Sequence, residues 1–155
     1  MQKSLQNKVL DDLNWHILEE LQQNGRLPAV EIGRRVGLSA PAVADRIQKL
    51  EELGYIKGYR TLLDLDKMGL TIRALIGFKT SMNHHEMLRM VEAIPEVLEW
   101  YTVTGNFCMQ IKVATSTSRR LAELIAHLEE HGETNTSLIL EQNADPKTIT
   151  SSGYR

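Results

Sequence analysis

The chain has 155 residues, 42% hydrophobic and 25% charged, the balance of a globular protein with one ordinary domain or two small ones; a disordered chain and a large multidomain enzyme are excluded. Eighteen Lys and Arg against twenty Asp and Glu leave a formal charge of -2, so affinity for nucleic acid has to come from a local patch. One cysteine, Cys108, excludes an intramolecular disulfide and a cysteine-based zinc finger, and no apolar run reaches the ~20 residues of a membrane span.

The leading residues Met1 to Lys8 carry no apolar h-region, and a cytoplasmic chain is expected. Asn14 is the expected N-cap of a first helix, with Leu13 and Leu18 as a hydrophobic staple, Ile17, Leu18 and Leu21 inward, and Gly25 closing it in the left-handed conformation. A short second helix follows Pro28, with Ile32 and Val36 one turn apart and Gly33 open to close approach by a crossing helix, and stops at Gly37. Leu38 fills the turn. Ser39 then caps a third helix running to Gly54, with Val43, Ile47, Leu50 and Leu53 on its buried stripe. Helix, glycine-containing turn and capped helix make a helix-turn-helix, against the alternative of a hairpin in an all-α core.

With Val43, Ile47 and Leu50 at the core, 3.6 residues per turn put Pro41, Asp45, Gln48, Lys49 and Glu52 on the outer face and Arg46 on its flank. Ala40, Pro41, Ala42 and Ala44 are small, which lets the backbone approach the base edges of double-stranded DNA; Ala40, Pro41, Ala42 and Asp45 are the expected base-proximal set. From Arg34 to Arg60 six basic residues face three acidic ones, and Ser39, Arg46, Lys49, Lys57 and Arg60 are the expected phosphate contacts. Tyr55 to Arg60 reads as the start of a wing strand, with Tyr59 packing and not stacking on bases. Residues 55 to 69 read as a strand-like connector with Tyr59, Thr61, Leu63 and Leu65 on one face, and the domain change falls near Asp66.

From Leu70 the pattern predicts strand (Ile72 to Thr80), helix (His84 to Ala93), strand (Val97 to Thr104), turn at Gly105-Asn106, strand (Phe107 to Thr115), helix (Ser118 to His131) and strand (Thr134 to Leu140). This βαββαβ order is ferredoxin-like, and the fold class is α+β. Leu88, Val91, Ile94, Leu121, Leu124, Ile125 and Leu128 are the helix faces for one side of the sheet; the other side, expected to carry residues such as Phe78, Trp100 or Met109, predicts self-association. The expected domains are 1–57 (winged helix-turn-helix), 58–68 (strand linker), 69–142 (ferredoxin-like) and 143–155 (polar tail).

His127 to His131 spells H-x-x-E-H, the inverzincin order, but catalysis needs a third ligand and a dry open position, and two solvated histidines at a helix end account for the motif; no metal and no cofactor are expected. His84-His85 is a weak dyad, and no nucleophilic triad or phosphate-cradling loop is present.

The run Leu10-Asp11, Asn14, Ile17-Leu18, Leu21, Asn24-Gly25-Arg26, then Gly37-Leu38-Ser39, Val43, Arg46-Ile47, Leu50-Glu51, Gly54-Tyr55-Ile56, Gly58-Tyr59, Gly69, Val103-Thr104-Gly105-Asn106-Phe107, Thr136-Ser137 and Leu140 resembles the Lrp/AsnC family of transcription regulators over nearly the whole chain. The resemblance implies a sequence-specific DNA-binding regulator with a RAM-type sensing domain. It further implies homodimers that assemble into octamers, an amino-acid effector, and a nucleoid-associated cytoplasmic protein. Gly105, Asn106, Phe107, Cys108, Thr136 and Ser137 are the effector-pocket positions it implies. Three departures stand out: Asn14 for the usual Asp, Pro28 for the usual Ser, and Cys108 where many members have Asp. A neutral thiol cannot receive an ammonium by the charge-assisted bond that Asp offers. Two alternatives share the architecture: an enzyme resembling the sirohaem decarboxylases, and a DNA-free sensing oligomer.

Overall fold

The structure, a computed structural model, describes residues 9–142 and 147–153. The leader at 1–8 and tail positions 143–146 and 154–155 lie outside the described residues. Two units result: described residues up to 62 together with 147–153 form one, and 63–142 the other.

In the first unit, helix α1 spans Asp12–Gln23, and its cap is Asp11, not Asn14: the Asp11 carboxylate accepts from the Asn14 N–H at 2.7 Å. Asn14 sits inside the first turn and is buried, because its side chain bridges the Val9 carbonyl and the Arg46 guanidinium. The Leu13/Leu18 staple around an Asn14 cap therefore does not form. Nor does Gly25 turn left-handed; α1 ends at Asn24 in extended conformation (φ -148°), with its N–H on the Glu20 carbonyl. Gly25 lies under the Tyr59 ring, where a Cβ would come within 3.2 Å of Cδ1.

Helix α2 spans Ala29–Val36 and closes at Gly37, whose φ of 74° only glycine adopts without strain. Gly33 admits backbone, but that of the turn and not of a crossing helix: a Cβ there would sit 2.4 Å from the Leu38 carbonyl oxygen. Helix α3 spans Ala40–Glu52, capped by the Ser39 hydroxyl, which accepts from the Ala42 N–H. Ile17, Ile32 and Val43 are fully buried at the junction of the three helices, with Leu21, Val36, Leu38 and Ile47 around them. Leu50 is also buried. Leu53 does not continue the stripe; the helix stops before it and leaves it 52% exposed.

No wing strand follows α3. Residues 57–64 carry no regular secondary structure, because the period-two pattern finds no neighbouring strand within the described chain to complete a ladder. Tyr59, Leu62 and Leu63 are exposed. The described tail belongs to this same unit: the Gln22 amide donates to the Ile149 carbonyl at 2.9 Å and accepts from its N–H at 2.8 Å.

In the second unit the elements are β1 (Ile72–Lys79), α4 (His84–Glu92), β2 (Val97–Thr102), β3 (Met109–Thr115), α5 (Ser118–Glu129) and β4 (Glu133–Leu138). The strand order β2-β3-β1-β4, antiparallel throughout, is the ferredoxin-like one. Asn83 and Thr117 cap α4 and α5 through their side chains. Ala74, Ile76 and Phe78 of β1 and Met109, Ile111 and Val113 of β3 pack against Met87, Val91, Leu121, Leu124 and Leu128 of the helices.

That register corrects the expected outer face. Phe78 pairs with Met109 and Ile111 with Trp100, and all four belong to the helix-covered core. The open face carries Arg73, Leu75, Gly77 and Lys79 of β1 opposite Ala114, Lys112 and Gln110 of β3, with ion pairs Lys79–Glu133 (3.1 Å) and Lys112–Glu99 (3.6 Å). Its exposed apolar members are Leu75 and Tyr101. Among the described residues, no helix is long and apolar enough to cross a membrane.

Candidate nucleic-acid interface and effector positions

The reading helix is positioned from behind. Val43 and Leu50 are buried and Ile47 is half-buried, which turns Pro41, Ala44, Asp45, Gln48, Lys49 and Glu52 outward, all exposed. Ala40 and Ala42 are half-buried at the helix start. Because Ser39 takes the Ala42 N–H and Pro41 has none, the first turn keeps few free donors, and Ser39 remains exposed beside it.

The basic residues divide into committed and free. Arg34 pairs with Glu31 (2.7 Å) and Arg35 with Glu20 (2.5 Å). Arg46 reaches back to α1: its Nη1 donates to both Asp11 oxygens (3.0 and 2.8 Å) and to the Asn14 amide oxygen (2.9 Å). Burial opposes ionisation of Asp11, yet the Arg46 guanidinium and the Asn14 N–H outweigh it and hold the carboxyl below its usual range. Lys49, Lys57 and Arg60 are exposed and make no ion pair among the described residues.

Tyr59 fixes the segment that follows. Its hydroxyl donates to Glu51 at 2.9 Å; partial burial and that carboxylate push its pKa up to about 12. The phenol thus packs on α3 and Gly25, with Lys57 and Arg60 on either side of the anchor.

The six effector positions do not share one face. Gly105 (φ 122°) and Asn106 are exposed in the β2–β3 turn. Phe107 lies over Gly77 on the open face, where a Cβ would come within 2.8 Å of the ring. Cys108 turns the other way: its thiol donates to the Phe78 carbonyl at 3.2 Å and contacts the Met87 sulfur at 3.8 Å. Opposite Ile76, Thr136 follows the covered face and its hydroxyl is buried without a partner among the described residues; Ser137, opposite Leu75, follows the open one.

Sequence reasoning missed Asp11 as the cap and the Asp11–Asn14–Arg46 cluster. The spacing Asp11-x-x-Asn14 was a usable signal, since a capping carboxylate accepts from an N–H three residues on. It also missed Gly77, although a glycine inside a strand marks a close approach.

A capped outward helix behind a glycine turn, joined to a four-stranded ferredoxin-like domain, defines a two-domain helix-turn-helix protein. Residues 10–51 match the AsnC-type helix-turn-helix domain and residues 73–149 the Lrp/AsnC ligand binding domain. The HTH-type transcriptional regulator YezC of Bacillus subtilis is 33% identical over 87% of this chain and 96% of its own length. Regulatory protein AsnC of Haemophilus influenzae is 30% identical over 86% and 93%. Among solved structures, Bacillus subtilis LrpC superposes with a TM-score of 0.82 at 26% identity, covering 86% of this chain and 96% of that one. A Neisseria meningitidis transcriptional regulator, solved as an L-Met complex, gives 0.86 at 25% identity over 94% and 99%. The chain belongs to the Lrp/AsnC family and is a DNA-binding transcriptional regulator of that type.

Proposed function

We propose that the N-terminal half of α3 enters the major groove, with Ala40, Pro41, Ala42 and Asp45 nearest the bases and Ser39, Lys49, Lys57 and Arg60 on phosphates. The observation that carries this is the division of the basic residues: Lys49, Lys57 and Arg60 are free at the outward helix and the segment after it, while Arg46 is spent on Asp11 and Asn14. Arg46 is therefore assigned to setting the angle of the reading helix and not to a phosphate. The protein works as a homo-oligomer, from a dimer up to an octamer, and two-fold pairing spaces half-sites about 10 bp or a multiple apart. Exposed Leu75 and Tyr101 on the sheet, and Leu62 and Leu63 in the unpaired segment, support self-association. It acts as a regulator and not as an enzyme, at the nucleoid.

The second domain takes a small effector of the amino-acid class, a reading supported by the L-Met complex of the Neisseria meningitidis regulator. Cys108 is directed into the core, so the ammonium of such an effector donates its hydrogen bonds to other groups. Titrating operator DNA at several salt concentrations tests the interface. Lys49→Ala should weaken binding on every sequence and lower the log K against log salt slope by about one charge. An unchanged slope overturns the placement of α3.

A further inference from the structure

The last turn of α5 brings three donors together that the regulator's function does not use. His127 stands on the last turn of the helix, Glu130 is its C-cap, and His131 follows in the turn just beyond, its N–H on the Leu128 carbonyl. Ligand atoms of His127, Glu130 and His131 all lie within 4.8 Å of one another, and all three residues are exposed. The His127 Nδ1 to Glu130 Oε2 distance is 3.6 Å. A tetrahedral zinc with bonds of about 2.0–2.2 Å places its ligands roughly 3.3–3.6 Å apart. The His–Glu edge thus lies close to chelating length, and bringing in His131, whose ring lies 5.7 Å from that of His127 between centroids, takes a side-chain rotation.

The surroundings suit a cation. Free carbonyls at a helix C-terminus favour positive charge. Arg120, two helical turns back from His127, is tied to Glu96 and Glu123, and Lys79, whose main chain meets Gly132, is paired with Glu133. Glu129 is held away by the Thr134 hydroxyl at 2.9 Å, which selects Glu130 as the third donor.

We propose that His127, Glu130 and His131 bind one divalent transition-metal ion of the zinc class, with water completing the shell. Two imidazoles and a carboxylate are ligands of that class, not of calcium or magnesium. The open, wet position excludes the catalytic role that the H-x-x-E-H order suggests; what the ion supplies is a clamp. The His131 carbonyl accepts from the Thr80 hydroxyl at 2.6 Å, and a Cβ on Gly132 would sit 2.2 Å from the Lys79 carbonyl oxygen, so this turn lies directly on the end of β1. An ion on His131 fastens the α5–β4 turn there and stabilises the sheet domain separately from any effector.

The test is a titration of the untagged full chain with zinc chloride in competition with a chromophoric chelator, alongside thermal melts. Wild type should bind one zinc per chain and melt roughly 5 °C higher in excess zinc. His127→Ala and His131→Ala should each lose about tenfold or more in affinity and the thermal gain, while His84→Ala/His85→Ala keeps both. These are exposed positions, and circular dichroism verifies that the variants fold. Zinc binding that survives His127→Ala and His131→Ala, or a wild-type chain that leaves all zinc with the chelator, overturns the site.

Discussion

Among the described residues, the helix-turn-helix unit fully buries four apolar side chains, Ile17, Ile32, Val43 and Leu50, whereas the sheet unit gathers eleven buried ones around Phe78. At about 1.5–3 kcal/mol per large side chain buried, the second has more than twice the hydrophobic driving force of the first. The smaller unit is held in shape by a few fixed backbone and polar contacts: a glycine pressed on the Leu38 carbonyl, a left-handed Gly37, the Asp11 and Ser39 caps, and an arginine joining α3 to α1. The difference teaches that geometry in the reading unit depends on a few irreplaceable contacts, while the sheet unit spreads its stability over many replaceable ones.

Mutations sharpen that contrast. Phe78→Ala should cost the most, about 3–5 kcal/mol, because it empties the fully buried centre of the sheet core; denaturant unfolding followed by domain-specific amide signals should show the helical unit unmoved. Gly33→Ala adds only a methyl group yet should cost about 2–3 kcal/mol in the other unit, since the Leu38 carbonyl 2.4 Å away is backbone and cannot step aside. DNA affinity should fall with it, measured by fluorescence anisotropy; a variant as stable and as tight-binding as wild type would break the comparison.

Asp11→Ala comes next, at about 1 kcal/mol near neutral pH, through loss of the cap and of the Arg46 contact on a half-exposed carboxylate. The Asp11 pKa is lowered in the fold, so its contribution is complete above the unfolded carboxyl value of about 3.9 and fades as pH falls through the lower folded value. Urea midpoints of wild type and variant should therefore converge in acid. Tyr59→Phe should be the mildest, under about 1 kcal/mol, as its hydroxyl bond is largely exposed. With that pKa raised to about 12, its stabilisation persists below the free phenol value near 10 and is lost as pH rises toward 12; Tyr101 is raised as well by its bond to Glu99, so ultraviolet titration of wild type should show late phenol absorbance of which the variant loses the Tyr59 share.

The parts readable in the sequence are those whose chemistry is local. Gly37-Leu38-Ser39 announces its turn and cap because left-handed φ and a capping hydroxyl are properties of single residues, and the strand–helix alternation after Leu70 follows from periodicity. The choice between Asp11 and Asn14 as cap was not readable, since it depends on Arg46, 32 residues beyond Asn14, reaching back to both. Nor was the sheet register, because β1 is apolar from Leu75 to Phe78 without a clean alternation and either face fits the pattern. That ambiguity placed Phe78 and Met109 outside and left open that Cys108 faces the core while Ser137 follows the other side. The wing strand failed for a further reason: extended propensity in one segment does not supply the neighbour that a ladder requires.

The paired hydrogen bonds between Gln22 and Ile149 bear on how the protein is dissected. A fragment trimmed to the helix-turn-helix homology alone, 10–51, discards a clasp contributed by the far end of the polypeptide and leaves a side-chain amide facing solvent in place of main chain. Boundaries for an excised reading module are better drawn in space than along the chain, with residues 147–153 retained through a fused peptide.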